Sequence, residues 1–304
     1  MNIEAIQTLR RETGAGLADC RAALAEHDGD MAKAISSLLQ KGARTAERKA
    51  ERTAADGLAL ARMYGRRAVL LEVNTQTDFV VQNALFRTQV ETIAEAIALH
   101  LPDDVAALQR IRLPQHGMTV GELVQKMVIT YGENIVIRRF ATLSGSMPYA
   151  YMHQDGKIGV ILSLTGPDSI GPAQWESVAR ELAMQIAAMK PLFVSRDDLG
   201  AKALQDVARQ IEADIAADES LGQKPAEIRT RAATGRLEKY FRANALLEQS
   251  WIRDDAKSVR QMLAAMNAPG ESSIRPDRFY RYERGEGIES EAVFCPLFGT
   301  IRRQ

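Results

Sequence analysis

Apolar residues recur at helical spacing over the first 42 positions. Ile3, Ile6 and Leu9 share one face, Leu17, Cys20 and Leu24 a second, and Met31, Ile35, Leu38 and Leu39 a third. This spacing predicts three short helices. Asp30 is placed to N-cap the third and Gly42 to stop it. Thr13-Gly14-Ala15-Gly16 joins the first two, and its two glycines permit a tight backbone that exposes whatever follows. A unit with so thin a core suits docking. Residues 43–56 are Ala-rich and charged, with Lys41, Arg44, Arg48, Lys49 and Arg52 around them outnumbering Glu47 and Glu51. They read as a solvated linker helix rather than a nucleic-acid patch.

The period then changes. Leu58-Ala59-Leu60-Ala61-Arg62 leads through Gly65 into Val69-Leu70-Leu71-Glu72-Val73, and Tyr149-Ala150-Tyr151-Met152-His153 leads through Gly156 into Val160-Ile161-Leu162-Ser163-Leu164. Both runs predict a β-hairpin with glycine in the turn. A loop and an apolar-periodic helix follow each. Ile93, Ala94 and Ile97 mark the first helix, which ends near Pro102; Val178, Leu182, Ile186 and Met189 mark the second, which ends at Lys190-Pro191. Third strands are expected at Ile135–Phe140 and Arg278–Tyr282. The second half also carries an insertion. Ser195-Arg196-Asp197-Asp198 is placed to cap a helix with Leu204, Val207, Ala208, Ile211 and Ile215 on its stripe. After the turn Gly222–Pro225, a second helix runs through Ile228, Leu237, Tyr240 and Phe241.

The expected fold class is therefore α+β. A three-helix module (1–42) and a linker helix (43–56) precede two repeated subdomains with small antiparallel sheets (57–145 and 146–288). A helical hairpin (196–241) is inserted in the second subdomain, and a tail (289–304) follows. The hairpin is structural or supplies an interaction surface, through which two copies could dimerise.

Charge and composition narrow the function. Lys plus Arg and Asp plus Glu both number 39, which argues against a protein held mainly by nucleic-acid phosphates. Cys20 and Cys295 are the only cysteines, so a disulfide framework and a four-cysteine zinc site are both excluded. Cys20 reads as a small buried hydrophobe. The opening residues lack a basic flank followed by an apolar run, and no apolar run is long enough to span a bilayer, so neither a signal peptide nor a membrane partner is expected. A reducing cytoplasm fits.

Catalytic signatures are missing. There is no Walker A sequence, no Gly-x-Ser-x-Gly and no His-Glu-x-x-His. Gly14-Ala15-Gly16 lacks the third glycine of a dinucleotide loop, and His27, His100, His116 and His153 lack metal-ligand spacing. Neither a cofactor nor a metal is expected. Glu72 and Asp78 could be paired as carboxylates, but Glu72 alternates with Leu71 and Val73 and reads most simply as a strand's polar face. A binding protein is favoured over an enzyme. The distinctive stretch is Thr77-Asp78-Phe79-Val80, between a strand and a helix. On the residues alone, Phe79 either closes the loop as a core aromatic, the simpler reading, or points outward to enter a partner. Leu17 is likewise either core or contact.

The first 42 residues resemble a ubiquitin-associated domain in size and pattern. Arg11–Leu24 resembles the N-terminal signature of bacterial elongation factor Ts, and Leu71–Val80 resembles that family's second signature. Supporting runs follow in family order at Glu133-Asn134-Ile135, Gly156–Val160, Ala183–Ala188 and Gly285–Glu289. The resemblance implies a guanine-nucleotide exchange factor that binds elongation factor Tu carrying GDP and speeds GDP release, so that GTP can reload it. It reverses the reading of Phe79. By position, Asp78 and Phe79 become the intruding pair within Thr77–Val80 that displaces the bound magnesium. Thr13, Gly14, Gly16 and Leu17 match the N-terminal docking loop, and the hairpin matches the family's coiled-coil arm. The tail departs from the family pattern: Pro296 would interrupt an amphipathic C-terminal helix. That departure motivates an alternative, a divergent relative that holds Tu as an adaptor without exchanging nucleotide.

Overall fold

The computed structural model describes residues 3–50, 52–167, 171–266, 274–288, 293–295 and 299–301. Helices α1 (Ile3–Thr13), α2 (Leu17–Glu26) and α3 (Met31–Ala50) open the chain. Leu9, Cys20, Ala23, Leu24, Ala34 and Leu38 form their small core, while Ile3 lies outside it at the start of α1. Asp30 caps α3 as expected, its carboxylate accepting the Lys33 N–H at 3.1 Å. Cys20 is buried, and that burial pushes its thiol pKa up.

The boundary expected at Gly42 is corrected. Gly42 lies inside α3, which runs unbroken to Ala50, so a linker helix over 43–56 is not a separate element. The glycine answers packing instead of termination. A Cβ at this position would lie 2.0 Å from Ile129 Cδ1, so only hydrogen lets the two helices approach this closely.

The first sheet follows. β1 (Asp56–Tyr64) and β2 (Arg67–Thr75) form the expected hairpin, with Gly65 at φ 59 in its turn. Next come α4 (Asp78–Val81), α5 (Ala84–His100), α6 (Val105–Arg110), the two-residue strands β3 (Arg112–Leu113) and β4 (Met118–Thr119), and α7 (Val120–Tyr131). β5 (Val136–Ser144) closes the sheet in the order β1-β2-β5. The second half repeats the plan. β6 (Met147–His153) and β7 (Ile158–Thr165) pair, α8 (Pro172–Met189) covers them, and a later strand completes the sheet. Val178, Leu182 and Ile186 of α8 are buried, but Met189 at its C-terminal end is exposed.

Between α8 and that last strand lies the insertion. The Ser195 capping box forms, but it caps a single 3₁₀ turn over Arg196–Asp198. The long helix α9 (Ala201–Ala217) starts later, after Gly200. α10 (Ala226–Asn244) packs back along it. Arg196 anchors the base: its guanidinium pairs with Glu238 and Glu248 and lies 4.7 Å from the centre of the Phe241 ring. The strands β8 (Ser250–Trp251) and β9 (Asp254–Ser258) and helix α11 (Val259–Met266) then lead to β10 (Arg275–Glu283), giving the order β10-β7-β6. The tail contributes a short antiparallel pair, β11 (Val293–Cys295) and β12 (Gly299–Ile301).

The two sheets pack face to face. Val69, Leu71 and Val73 of β2 point into the helix-covered core, whereas Ala68 and Leu70 join Ala61, Ala141, Leu143 and Ile161 between the sheets. β2 is thus covered on both sides, which overturns the reading of Glu72 as a solvated polar face. Glu72 is fully buried. One carboxylate oxygen accepts from Arg138 at 2.9 Å, the Gly285 N–H at 2.9 Å and Asn74 at 3.2 Å; the other accepts from Arg139 at 2.6 Å. A buried carboxylate needs such partners, because desolvation without them is prohibitive. No helix among the described residues is long and apolar enough to cross a membrane.

Candidate functional site

The Thr77–Val80 stretch begins where β2 leaves the sheet. Thr77 is extended at φ −130 and ψ 158 and starts α4, a single helical turn. Val80 and Val81 turn inward and are buried with the core of the first half. Phe79 points the other way and is 79% exposed. A one-turn helix with two consecutive buried valines leaves its preceding residue no place in the core, so the aromatic faces solvent. Asp78 is half-buried, and its carboxylate takes no hydrogen bond from the described residues.

This turn is held at both ends. Before α4, Glu133 grips the backbone: Oε2 accepts the N–H groups of Gln76 at 3.2 Å and Thr77 at 3.0 Å, and Oε1 accepts the Thr77 hydroxyl at 2.6 Å. Gln76 returns the contact, its Oε1 accepting the Asn134 N–H at 3.0 Å. Within the turn, the Thr75 hydroxyl donates to the Thr77 carbonyl at 2.7 Å. After α4, Arg87 donates through Nε to the Val81 carbonyl at 2.8 Å, and its guanidinium forms an ion pair with Asp155 at 2.7 Å. Asp155 lies in the turn between β6 and β7, so the aromatic's platform is tied to both sheets.

The N-terminal loop is set on the same frame. Thr13 is buried, its hydroxyl donating to the Leu9 carbonyl at 2.7 Å and accepting the Ala15 N–H at 3.3 Å. Gly14 has φ 73 and lies against α7; a Cβ there would meet Thr130 Oγ1 at 2.1 Å. Lys126 of α7 donates to the Arg11 carbonyl at 3.1 Å. Gly16 precedes α2 in extended conformation, and Leu17 emerges 54% exposed. No hydrogen bond joins this loop to Thr77–Val80 among the described residues; each is held separately by α7 or by the segment just after it.

Two exposed apolar side chains, Leu17 and Phe79, therefore stand at helix starts whose preceding turns are tied by hydrogen bonds. The comparisons with known proteins decide the family. The family model described as "Elongation factor TS" matches residues 76–286. The chain belongs to the elongation factor Ts family. Curated relatives carrying the name "Elongation factor Ts" agree. That of Symbiobacterium thermophilum is 36% identical over 291 residues, covering 93% of this chain and 92% of its own. That of a Nostoc species is 35% identical, covering 94% and 93%. That of Pediococcus pentosaceus is 35% identical, covering 95% and 93%. The α+β architecture, with N-terminal helices ahead of small antiparallel sheets, is the expected one, and this member of the family is a translation elongation factor.

Sequence reasoning did not assign a role to Glu133 or Arg87. Glu133 follows Gly132, the left-handed C-cap of α7. Glu133 stands in the run Glu133-Asn134-Ile135 that matches the family, but that match assigns it no task, and an acid in a loop gives no sign of the turn it faces.

Proposed function

We propose that this chain is the exchange factor for elongation factor Tu: it binds the GDP-loaded form, promotes magnesium displacement and GDP release, and so permits GTP reloading in the cytoplasm. The observation that carries this reading is Phe79, an exposed aromatic beside Asp78 on a turn fixed from both sides. Exposure costs nothing in a wedge that is covered only in the complex. The Thr13–Leu17 loop forms the second contact: Leu17 is presented to the partner, Gly14 and Gly16 shape the backbone, and the buried Thr13 holds it from within instead of touching the partner.

No catalytic side chain is required. A factor that binds nucleotide-free Tu more tightly than nucleotide-bound Tu weakens nucleotide binding by the same ratio. Each tenfold acceleration of release lowers its barrier by about 1.4 kcal/mol. Covering one Phe contributes roughly 1.5–3 kcal/mol, or about one to two decades. Larger acceleration draws on Asp78 acting at the magnesium site. The test follows release of fluorescent GDP from Tu at micromolar concentrations of this protein. Release is expected to accelerate, and Phe79→Ala to slow it by about ten- to a hundredfold. An unaccelerated release would sink the proposal.

One observation favours a second reading. Residues 293–295 and 299–301 pair as β11 and β12 where an amphipathic helix is expected of the family. A chain that has lost its C-terminal contact could hold Tu as an adaptor. Stable Tu binding without faster GDP release would select it.

A further inference from the structure

Glu133 lies outside the Thr77–Val80 motif, yet it makes three of the hydrogen bonds that fix it. We infer that Glu133 is the positioning residue for the Asp78–Phe79 pair, and that through it the segment Lys126–Glu133 sets the spacing between the two partner-contacting turns. This rests on the exchange reading above. The geometry has two parts. A carboxylate accepting two successive N–H groups and a hydroxyl fixes both the direction of the backbone at Gln76-Thr77 and the start of α4. Hydrogen bonds to a carboxylate are stronger than neutral ones, and the one from the Thr77 hydroxyl is short at 2.6 Å. Thr77 donates its hydroxyl to Glu133, so its side chain is not spent on capping α4. The acid replaces the usual N-cap as the element that orients the turn.

The second part is where Glu133 comes from. It sits one residue beyond the Gly132 C-cap of α7. Within the last two turns of that helix, Lys126 holds the Arg11 carbonyl and Thr130 packs against Gly14 of the N-terminal loop. A rigid helix end thus carries the N-terminal loop on its flank and the Phe79 turn at its tip. A partner engaging both would meet them at a fixed separation. Binding energy gained at one then serves alignment at the other, and a misplacement of about 1 Å can cost on the order of a hundredfold in rate.

The experiment compares wild type, Glu133→Ala, Glu133→Gln and Thr77→Val. Amide hydrogen exchange at Gln76 and Thr77 is measured on the free protein, and GDP release from Tu is measured as a saturation curve in exchange factor. In Glu133→Ala, the two amides are expected to lose protection by at least about tenfold. The maximal release rate should fall by about ten- to a hundredfold, while half-saturation changes less because the N-terminal loop still docks. Glu133→Gln keeps one acceptor oxygen and should recover part of both. Thr77→Val removes only the hydroxyl contact and should give a smaller loss of rate in a folded protein. Unchanged amide protection in Glu133→Ala overturns the proposal, and so does lost protection with an undiminished maximal rate. If wild type itself releases no GDP, the exchange reading fails, and the amide measurement alone decides whether Glu133 fixes the turn.

Discussion

Removing the charge from Glu72 tests whether the two halves are held by one buried acid. Glu72→Gln keeps the volume and leaves β1, β2 and β5 paired. What changes is the set of donors that converge on the carboxylate: two guanidiniums, one backbone N–H and one amide. A Gln can accept at one atom only, and its own NH2 would face Arg138 or Arg139. Breaking a buried ion pair by removing one partner costs about 3–5 kcal/mol. Two features reduce that figure. The Arg138 and Arg139 side chains keep 27% and 33% of their surface exposed, so water relieves part of the loss. Arg139 also stacks 4.1 Å over the Tyr282 ring and has Glu286 at 3.5 Å. About 2–3 kcal/mol remains. The assay is urea unfolding of wild type and Glu72→Gln, with amide exchange at Gly285 as the local readout. A loss below about 0.5 kcal/mol, the usual range for a surface change, with Gly285 still protected, would refute the reasoning.

Three further outcomes follow from the same structure. Phe79→Ala should leave thermal stability within about 0.5 kcal/mol of wild type, because the side chain is 79% exposed; a large loss by calorimetry would place the ring in the fold. Gly159→Val should destabilise by about 1–3 kcal/mol, since a Cβ at 159 would lie 2.9 Å from the Ala59 carbonyl oxygen and 2.5 Å from Leu70 Cδ1 where the sheets meet; an unchanged urea midpoint would show the sheets can separate freely. Glu283 has its pKa lowered to about 2 from 4.5: burial alone would raise it, but hydrogen bonds and ion pairs with Lys190 and Arg281 outweigh that. A depressed carboxyl stabilises the fold above its unfolded pKa and loses that contribution as pH falls from about 4.5 toward 2. Glu283→Gln should therefore flatten the stability profile in that window, and an unaltered slope would count against the pair.

Much of the architecture was legible because it rests on local periodicity. The hairpins around Gly65 and Gly156, the third strands and the helix stops at Leu101 and Lys190 all follow from alternation, helical spacing and turn chemistry. What failed was long-range. Gly42 carries the signature of a helix stop, and only the approach of Ile129 shows that it is there for clearance. Glu72 alternates as a solvated residue would, and only the second sheet lying on β2 makes that face interior. Ser195 forms its capping box, yet on a 3₁₀ turn, because the chain must still cross Leu199-Gly200 before α9 can start. In each case a local rule was satisfied and a tertiary neighbour decided its meaning.

The same distinction bears on Phe79. Nothing local requires an exposed aromatic after β2: Val80 and Val81 close the core, Thr77 and Glu133 fix the chain direction, and Arg87 ties down the far end. The equivalent strand in the second half, β7, ends at Thr165 and is followed in sequence by Gly166-Pro167-Asp168, with no aromatic at the position of Phe79. One repeat therefore completes its sheet without the feature that the other displays. Gly166 in that half packs under Trp175, where a Cβ would lie 2.8 Å from the ring, so the chain leaving β7 lies down against α8 at that residue. The first half does the reverse and raises its loop on two clamps. A loop held away from the core by a carboxylate and a guanidinium, with its largest apolar group outermost, supports the proposed contact at Asp78 and Phe79 on grounds independent of the family resemblance.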